Sequence, residues 1–246
     1  MIVEICVENY KSALLAEKYG ADRIELNSAL FLGGLTPFKG VLQKCIDNLD
    51  IPIIAMCRNR AAGFNYTKDE IDELKDELNF LISCDIDGVA FGFLNEDFTI
   101  DIDTTKYFVD MCHKNNKKAV FHRAFDNVND PYKAIESLIE LKVDRILTSG
   151  LEDKAINGKN LLKDINYKYK DKIEILCGSG LNSNNIKEFI EYTNVCQIHS
   201  SCSKLVIDNT TNNNVSYSFR KENNGNSYNA IDEDELRDFI KNAKAK

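Results

Sequence analysis

The stretch Ala119–Val120–Phe121–His122–Arg123–Ala124–Phe125–Asp126 begins as an apolar run of strand-forming residues and ends in an imidazole, a guanidinium and a carboxylate. Parallel α/β folds present chemistry this way, because their ligands bind beyond the carboxyl ends of the strands. Other runs in the chain have the same character. Glu4 and Cys6 lie in Ile2–Val7, Glu25 in the run 21–26, Arg58 and Arg60 at the end of the run from Ile51, and His199 just before Ser200 and Ser201. Carboxylates and imidazoles move protons, so Glu25, His122 and Glu4 are the catalytic candidates. Guanidinium groups clamp carboxylates or phosphates, which makes Arg58, Arg60 and Arg123 ligand-binding candidates. Asp126, Ser149 and His199 complete that set, although Arg123 and Asp126 could simply pair with each other as a strand cap. Gly178 and Gly180 can expose backbone N–H groups ahead of a helix opening at Leu181–Asn182–Ser183, and Ser200 and Ser201 add hydroxyls. Together they would suit a phosphate or carboxylate at the loops after the last two strands.

Soft-metal chemistry needs sulfur ligands. Cys6 is the best-placed candidate, and His199 and Cys202 lie three residues apart. None of the eight cysteines forms a CxxC pair, and Cys45, Cys84 and Cys112 read as core residues of helices. With no disulfide spacing in a chain of this size, the thiols read as reduced, in a cytoplasmic setting.

These side chains need elements to hold them. Strands are expected at Ile2–Val7, 21–26, 51–58, 88–93, within 119–126, and at 145–148, 174–177 and 195–199, with helices between them. In the first strand Val3, Ile5 and Val7 share one face, leaving Glu4 and Cys6 on the other. Ile24 and Leu26 likewise lie opposite Glu25. If the apolar faces pack on helices, then Glu4, Glu25, His122, His199 and Arg58 project inward at one mouth. Thr36–Pro37 and Asp130–Pro131 read as helix caps followed by a first-turn proline, and Thr67 with Glu70 as a capping box. Gly20–Ala21–Asp22–Arg23–Ile24 is echoed by Lys142–Val143–Asp144–Arg145–Ile146 and by Asp85–Ile86–Asp87–Gly88–Val89. Repeated αβ units of this kind, with no Pro/Gly-rich linker, predict one (β/α)8 TIM barrel over residues 1–246. A doubly wound sheet would need a nucleotide-type glycine loop after strand 1, where Glu8–Asn9–Tyr10 stands, and no organic cofactor is evident. After strand 8 the polar, Asn-rich stretch 203–231 reads as a surface loop or lid, and Asp232 with Glu235 caps a C-terminal helix. The net charge of -8 argues against a nucleic-acid partner, and no apolar run is long enough for a membrane span.

The chain resembles the CutC family of copper-homeostasis barrels. The resemblance is carried by Val3–Glu4–Ile5–Cys6, Gly20–Ala21–Asp22–Arg23–Ile24–Glu25–Leu26 and Gly33–Gly34–Leu35–Thr36–Pro37. It continues through Phe121–His122–Arg123–Ala124–Phe125–Asp126, Leu147–Thr148–Ser149–Gly150, Gly178–Ser179–Gly180 and His199–Ser200–Ser201. It implies a TIM barrel, a cytoplasmic location, homo-oligomers and a role in copper handling; because Cu(I) favours thiolates, Cys6 on the inward face of strand 1 is then the first candidate ligand. One departure is clear. Where the family carries Arg-Pro-Arg-Gly-Gly-Asp-Phe, this chain has Arg58–Asn59–Arg60–Ala61–Ala62–Gly63–Phe64, keeping both arginines and losing the acid. The same pocket also admits a lyase, isomerase or hydrolase, or a non-catalytic binding protein, for a small phosphorylated or carboxylated metabolite.

Overall fold

Each strand of the barrel is short, apolar on its outer face, and followed by a helix that covers that face. The protein's structure, a computed structural model, describes residues 1–210 and 226–245. In chain order the first half is β1 (Ile2–Val7), α1 (Tyr10–Lys18), β2 (Arg23–Leu26), α2 (Lys39–Ile46), β3 (Ile53–Met56), α3 (Lys68–Ser83), β4 (Gly88–Phe91) and α4 (Ile102–Lys114). The second half is β5 (Lys118–Phe121), α5 (Pro131–Glu140), β6 (Arg145–Thr148), α6 (Lys159–Tyr169), β7 (Glu174–Gly178), α7 (Ile186–Thr193) and β8 (Gln197–Ser200). The hairpin β9 (Ser203–Ile207) and β10 (Ser227–Ile231) and the helix α8 (Glu233–Lys244) follow. Strands β1 to β8 close into one parallel barrel, with β8 pairing back onto β1. The fold is the (β/α)8 barrel that the alternation of elements predicts.

Strand parity decides what faces where. Val3, Ile5, Val7, Ile24, Leu26, Ala119, Phe121 and Ile198 join the helices in one large buried cluster. Ile54, Met56, Ala90 and Val120 form a separate small cluster inside the barrel. Burying each such aliphatic side chain stabilises the fold by about 1.5–3 kcal/mol, so a one-residue slip of any strand would invert the pattern at large cost. The expected capping box of α3 is present, as is the Asp130 cap of α5 with Pro131 in the first turn. Asp232 accepts from the backbone of Asp234 and Glu235 to start α8.

Three local expectations are corrected. Thr36 does not cap α2, which starts three residues later at Lys39. Its hydroxyl instead bonds the backbone of Arg58, donating to the carbonyl and accepting from the N–H, and so ties the β2 loop to the end of β3. α7 starts at Ile186, beyond Leu181–Asn182–Ser183. The stretch 203–231 is not all loop: Ser203–Ile207 and Ser227–Ile231 pair as an antiparallel ribbon, while Asn212–Asn213–Asn214 lie outside the described residues.

Candidate metal centre

Closure of the barrel sets β1 between β2 and β8, and register does the rest. Cys6 stands beside Glu25 across β1–β2, and Glu4 beside His199 across β1–β8. All four side chains point inward and are buried. Ligand atoms of Cys6, Glu25 and His199 lie within 4.8 Å of one another, the one such cluster of three among the described residues. The Cys6 thiol is 3.5 Å from Glu25 Oε2, and His199 Nε2 is 4.0 Å from the same oxygen. Tetrahedral donors on bonds of roughly 2.0–2.3 Å sit roughly 3.3–3.7 Å apart, so the three need to close in by only about an ångström to share an ion.

A layer beneath holds these ligands. Glu4 Oε1 is 2.8 Å from His199 Nδ1, which turns Nε2 toward Cys6 and Glu25. A carboxylate behind a ligating imidazole fixes its orientation and raises its basicity. Asn27 Nδ2 donates to Glu25 Oε2 at 2.8 Å and to Cys6 Sγ at 3.3 Å. Behind Asn27, Gly34 adopts φ +84°, and a Cβ there would sit 2.3 Å from Asn27 Oδ1. Only glycine satisfies both the left-handed backbone and this close approach. Arg23 donates to Glu4 and, at 3.1 Å, to Gln197, and Arg145 joins Gln197 to Glu174.

The electrostatics follow from burial and these partners. Burial works to raise Glu4, but the Arg23 guanidinium and the bond from His199 hold it at about 2. Burial raises Glu25; the His199 charge opposes the rise and the Glu4 charge adds to it. Burial alone would lower His199, yet its bond to Glu4 and the two nearby carboxylates push it up. Burial and the Glu25 charge drive the Cys6 thiol well above its ordinary value. A thiol, a carboxylate and an imidazole make a donor set suited to copper or zinc and poorly suited to magnesium or calcium.

The centre opens onto a cavity of about 690 Å³, lined among others by Cys6, Glu25, Asn27, Arg58, His122, Arg123, His199, Gly180, Ser200 and Ser201. Most of the candidates from sequence therefore meet here, and several do not. Glu4 lies one layer below the cavity and acts on it through His199. Arg60 turns away and pairs with Glu70, bonds the carbonyls of Ala61, Gly63 and Asn65, and packs on Tyr66. Asp126 accepts from Arg123 Nε, from the Thr148 hydroxyl and from the N–H and hydroxyl of Ser149, tying the loops after β5 and β6. The strand-cap reading of Arg123 and Asp126 is thus the one the geometry realises, although Arg123 also reaches the cavity wall.

In the loops after β7 and β8, Gly180, Ser200 and Ser201 line the cavity, while the donors of the segment before α7 are engaged within the chain. Gly178 packs against His199 and Leu147. Ser183 donates its N–H and its hydroxyl, each at 2.6 Å, to the Glu235 carboxylate of α8. The N–H groups of Asn182 and Asn184 bond the side chains of Asn185 and Asn182. The Glu235 carboxylate thus takes both donors of Ser183. Sequence reasoning missed Asn27, Arg23, Arg145 and Gln197. The first two share the parity of Glu25 and were legible by the same rule.

Comparison with known proteins bears on the family and the fold. Residues 1–204 match the model of the CutC family. A Treponema denticola family protein CutC is 42% identical over 214 residues, covering 87% of this chain and 86% of its own. The Homo sapiens copper homeostasis protein cutC homolog is 37% identical over 200 residues, covering 81% and 72%. The crystal structure of CutC from Streptococcus agalactiae superposes with a TM-score of 0.77 at 26% identity, over 82% of this chain and 98% of that one. A phosphoribosyl anthranilate isomerase from Thermococcus kodakaraensis, at 16% identity and a TM-score of 0.58, shares the barrel alone. The chain belongs to the CutC family.

Proposed function

We propose that this protein serves copper homeostasis by binding one copper ion through Cys6, Glu25 and His199. The observation that carries the reading is the convergence of those three buried ligands, with Glu4 and Asn27 behind them holding each in place. The relatives' names supply the metal, and the donor set fits it: Cys6 provides the soft ligand that Cu(I) favours, and His199 an imidazole it accepts. All eight cysteines are free, in keeping with a reducing cytoplasm. The cation competes with protons for the Cys6 thiol and for His199, because both groups are pushed toward their protonated forms. Affinity therefore falls as pH drops. Titration of Cu(I) under reducing conditions into Cys6→Ser and His199→Gln proteins tests the reading. Each substitution is expected to weaken binding by an order of magnitude or more relative to the native chain. Affinity unchanged in both would remove the centre from copper binding.

A further inference from the structure

A cavity of about 690 Å³ is far larger than one metal ion requires and has the size of a site for a small organic molecule. Its chemistry is uneven. Cys6, Glu25 and His199 stand on the β1–β2–β8 side, and Asp232 and Glu235 add carboxylates to the wall. Just beyond β3, the strand next to β2, Arg58 is 4% exposed, and its guanidinium bonds carbonyl oxygens: Nη1 those of Leu32 and Gly34, Nη2 that of Ala62. No carboxylate is among its hydrogen-bond partners in the described residues; Nε makes no hydrogen bond of good geometry, and the neutral Tyr66 hydroxyl is the side-chain oxygen that acts on the guanidinium. His122, 3% exposed, accepts from the Ala124 N–H at Nδ1, so the neutral ring carries its proton on Nε2, which is also without a partner. Burial and the Arg58 charge keep this ring neutral down to a pKa of about 3. Phe64 packs on both groups, 5.1 Å from each. A buried cation without a counter-charge and a buried donor without an acceptor, side by side on a cavity wall, are groups that native proteins rarely leave unsatisfied.

We propose that this side of the cavity receives the carboxylate of a small organic molecule, with Arg58 and His122 Nε2–H as its donors. Two donors match the two oxygens of a carboxylate. A phosphate dianion would need more donors and would face the carboxylates of the same chamber. The inference is independent of copper, because neither residue belongs to the metal cluster.

The chain has three histidines, which makes their imidazole NMR signals separable. Metal-free, 15N-histidine-labelled protein is titrated with acetate, lactate and pyruvate, then with inorganic phosphate and with chloride, at constant ionic strength. A saturable shift of the His122 signals with at least one carboxylate, and none with chloride, is the expected result. Arg58→Lys keeps the charge but loses the fork, and is expected to weaken that response about tenfold or more. Because Arg58 also clamps three carbonyls, the native titration decides the matter if the variant fails to fold. No His122 response at tens of millimolar carboxylate would overturn the proposal. So would a response to phosphate alone, or one confined to His199.

Discussion

At single residues, labour is divided between Cys6, Glu25 and His199, which would touch the metal, and Glu4, which aims His199 from behind. Glu4→Gln should separate the two roles. It keeps the shape but removes the charge, leaving Arg23 buried without its carboxylate. We expect copper affinity to fall roughly 10–100-fold, with stability down by about 3 kcal/mol by denaturant unfolding. His122 supplies a second expectation, and its sign is fixed by its lowered pKa. The folded ring titrates at about 3 against an ordinary value of 6.5, so an unfolded chain takes up the proton first on acidification. Its contribution is full above pH 6.5 and is lost progressively as pH falls toward 3. Between pH 7 and 5 the native protein should therefore lose about 2 kcal/mol that a His122→Gln variant retains. Glu4 does not contribute in that window, since its own loss runs from 4.5 down to about 2. Equal pH dependence of the two proteins would show that His122 is not held neutral. Asn27 and Arg23 were legible at this scale through the parity of β2. The pairing of Arg145 with Gln197 was not, because it joins β6 to β8 across the intervening β7, through side chains that meet inside the barrel.

At the scale of elements, strands were easy to read and helix starts were not. Alternation across Ile2–Val7 and Arg23–Leu26 reflects a face buried in helices, and that burial fixes register. A cap is a local choice that a tertiary contact can override. Thr36 has the right side chain for a cap, but its hydroxyl bonds the Arg58 backbone instead. The segment before α7 follows the same logic, with Glu235 of α8 bonding the N–H and hydroxyl of Ser183. Removing that carboxylate with Glu235→Ala should cost about 1–3 kcal/mol by leaving both donors without their acceptor. It should also open the loops after β7 and β8 to an inorganic anion, so sulfate is expected to raise the melting temperature of the variant more than that of the native chain. An identical response to sulfate in both would mean that Glu235 does not stand in for an anion there.

At the scale of the whole molecule, closure is what makes the centre. His199 and Glu4 are separated by 195 residues and meet only because β8 pairs with β1. The barrel and the ring of inward polar groups could be read from alternation. The grouping of Cys6, Glu25 and His199 in one cluster and of His122 and Arg58 in another could not, since strand order alone does not give the distances within the mouth. The central claim, that copper sits among Cys6, Glu25 and His199, is tested most directly by locating the metal in crystals of the copper-loaded protein from anomalous scattering at the copper edge. The account predicts one peak within bonding distance of Cys6 Sγ, a Glu25 oxygen and His199 Nε2, and its loss in crystals of the Cys6→Ser variant. A peak at exposed Cys196 or at His113 on the outer face, with none inside the barrel, would contradict it.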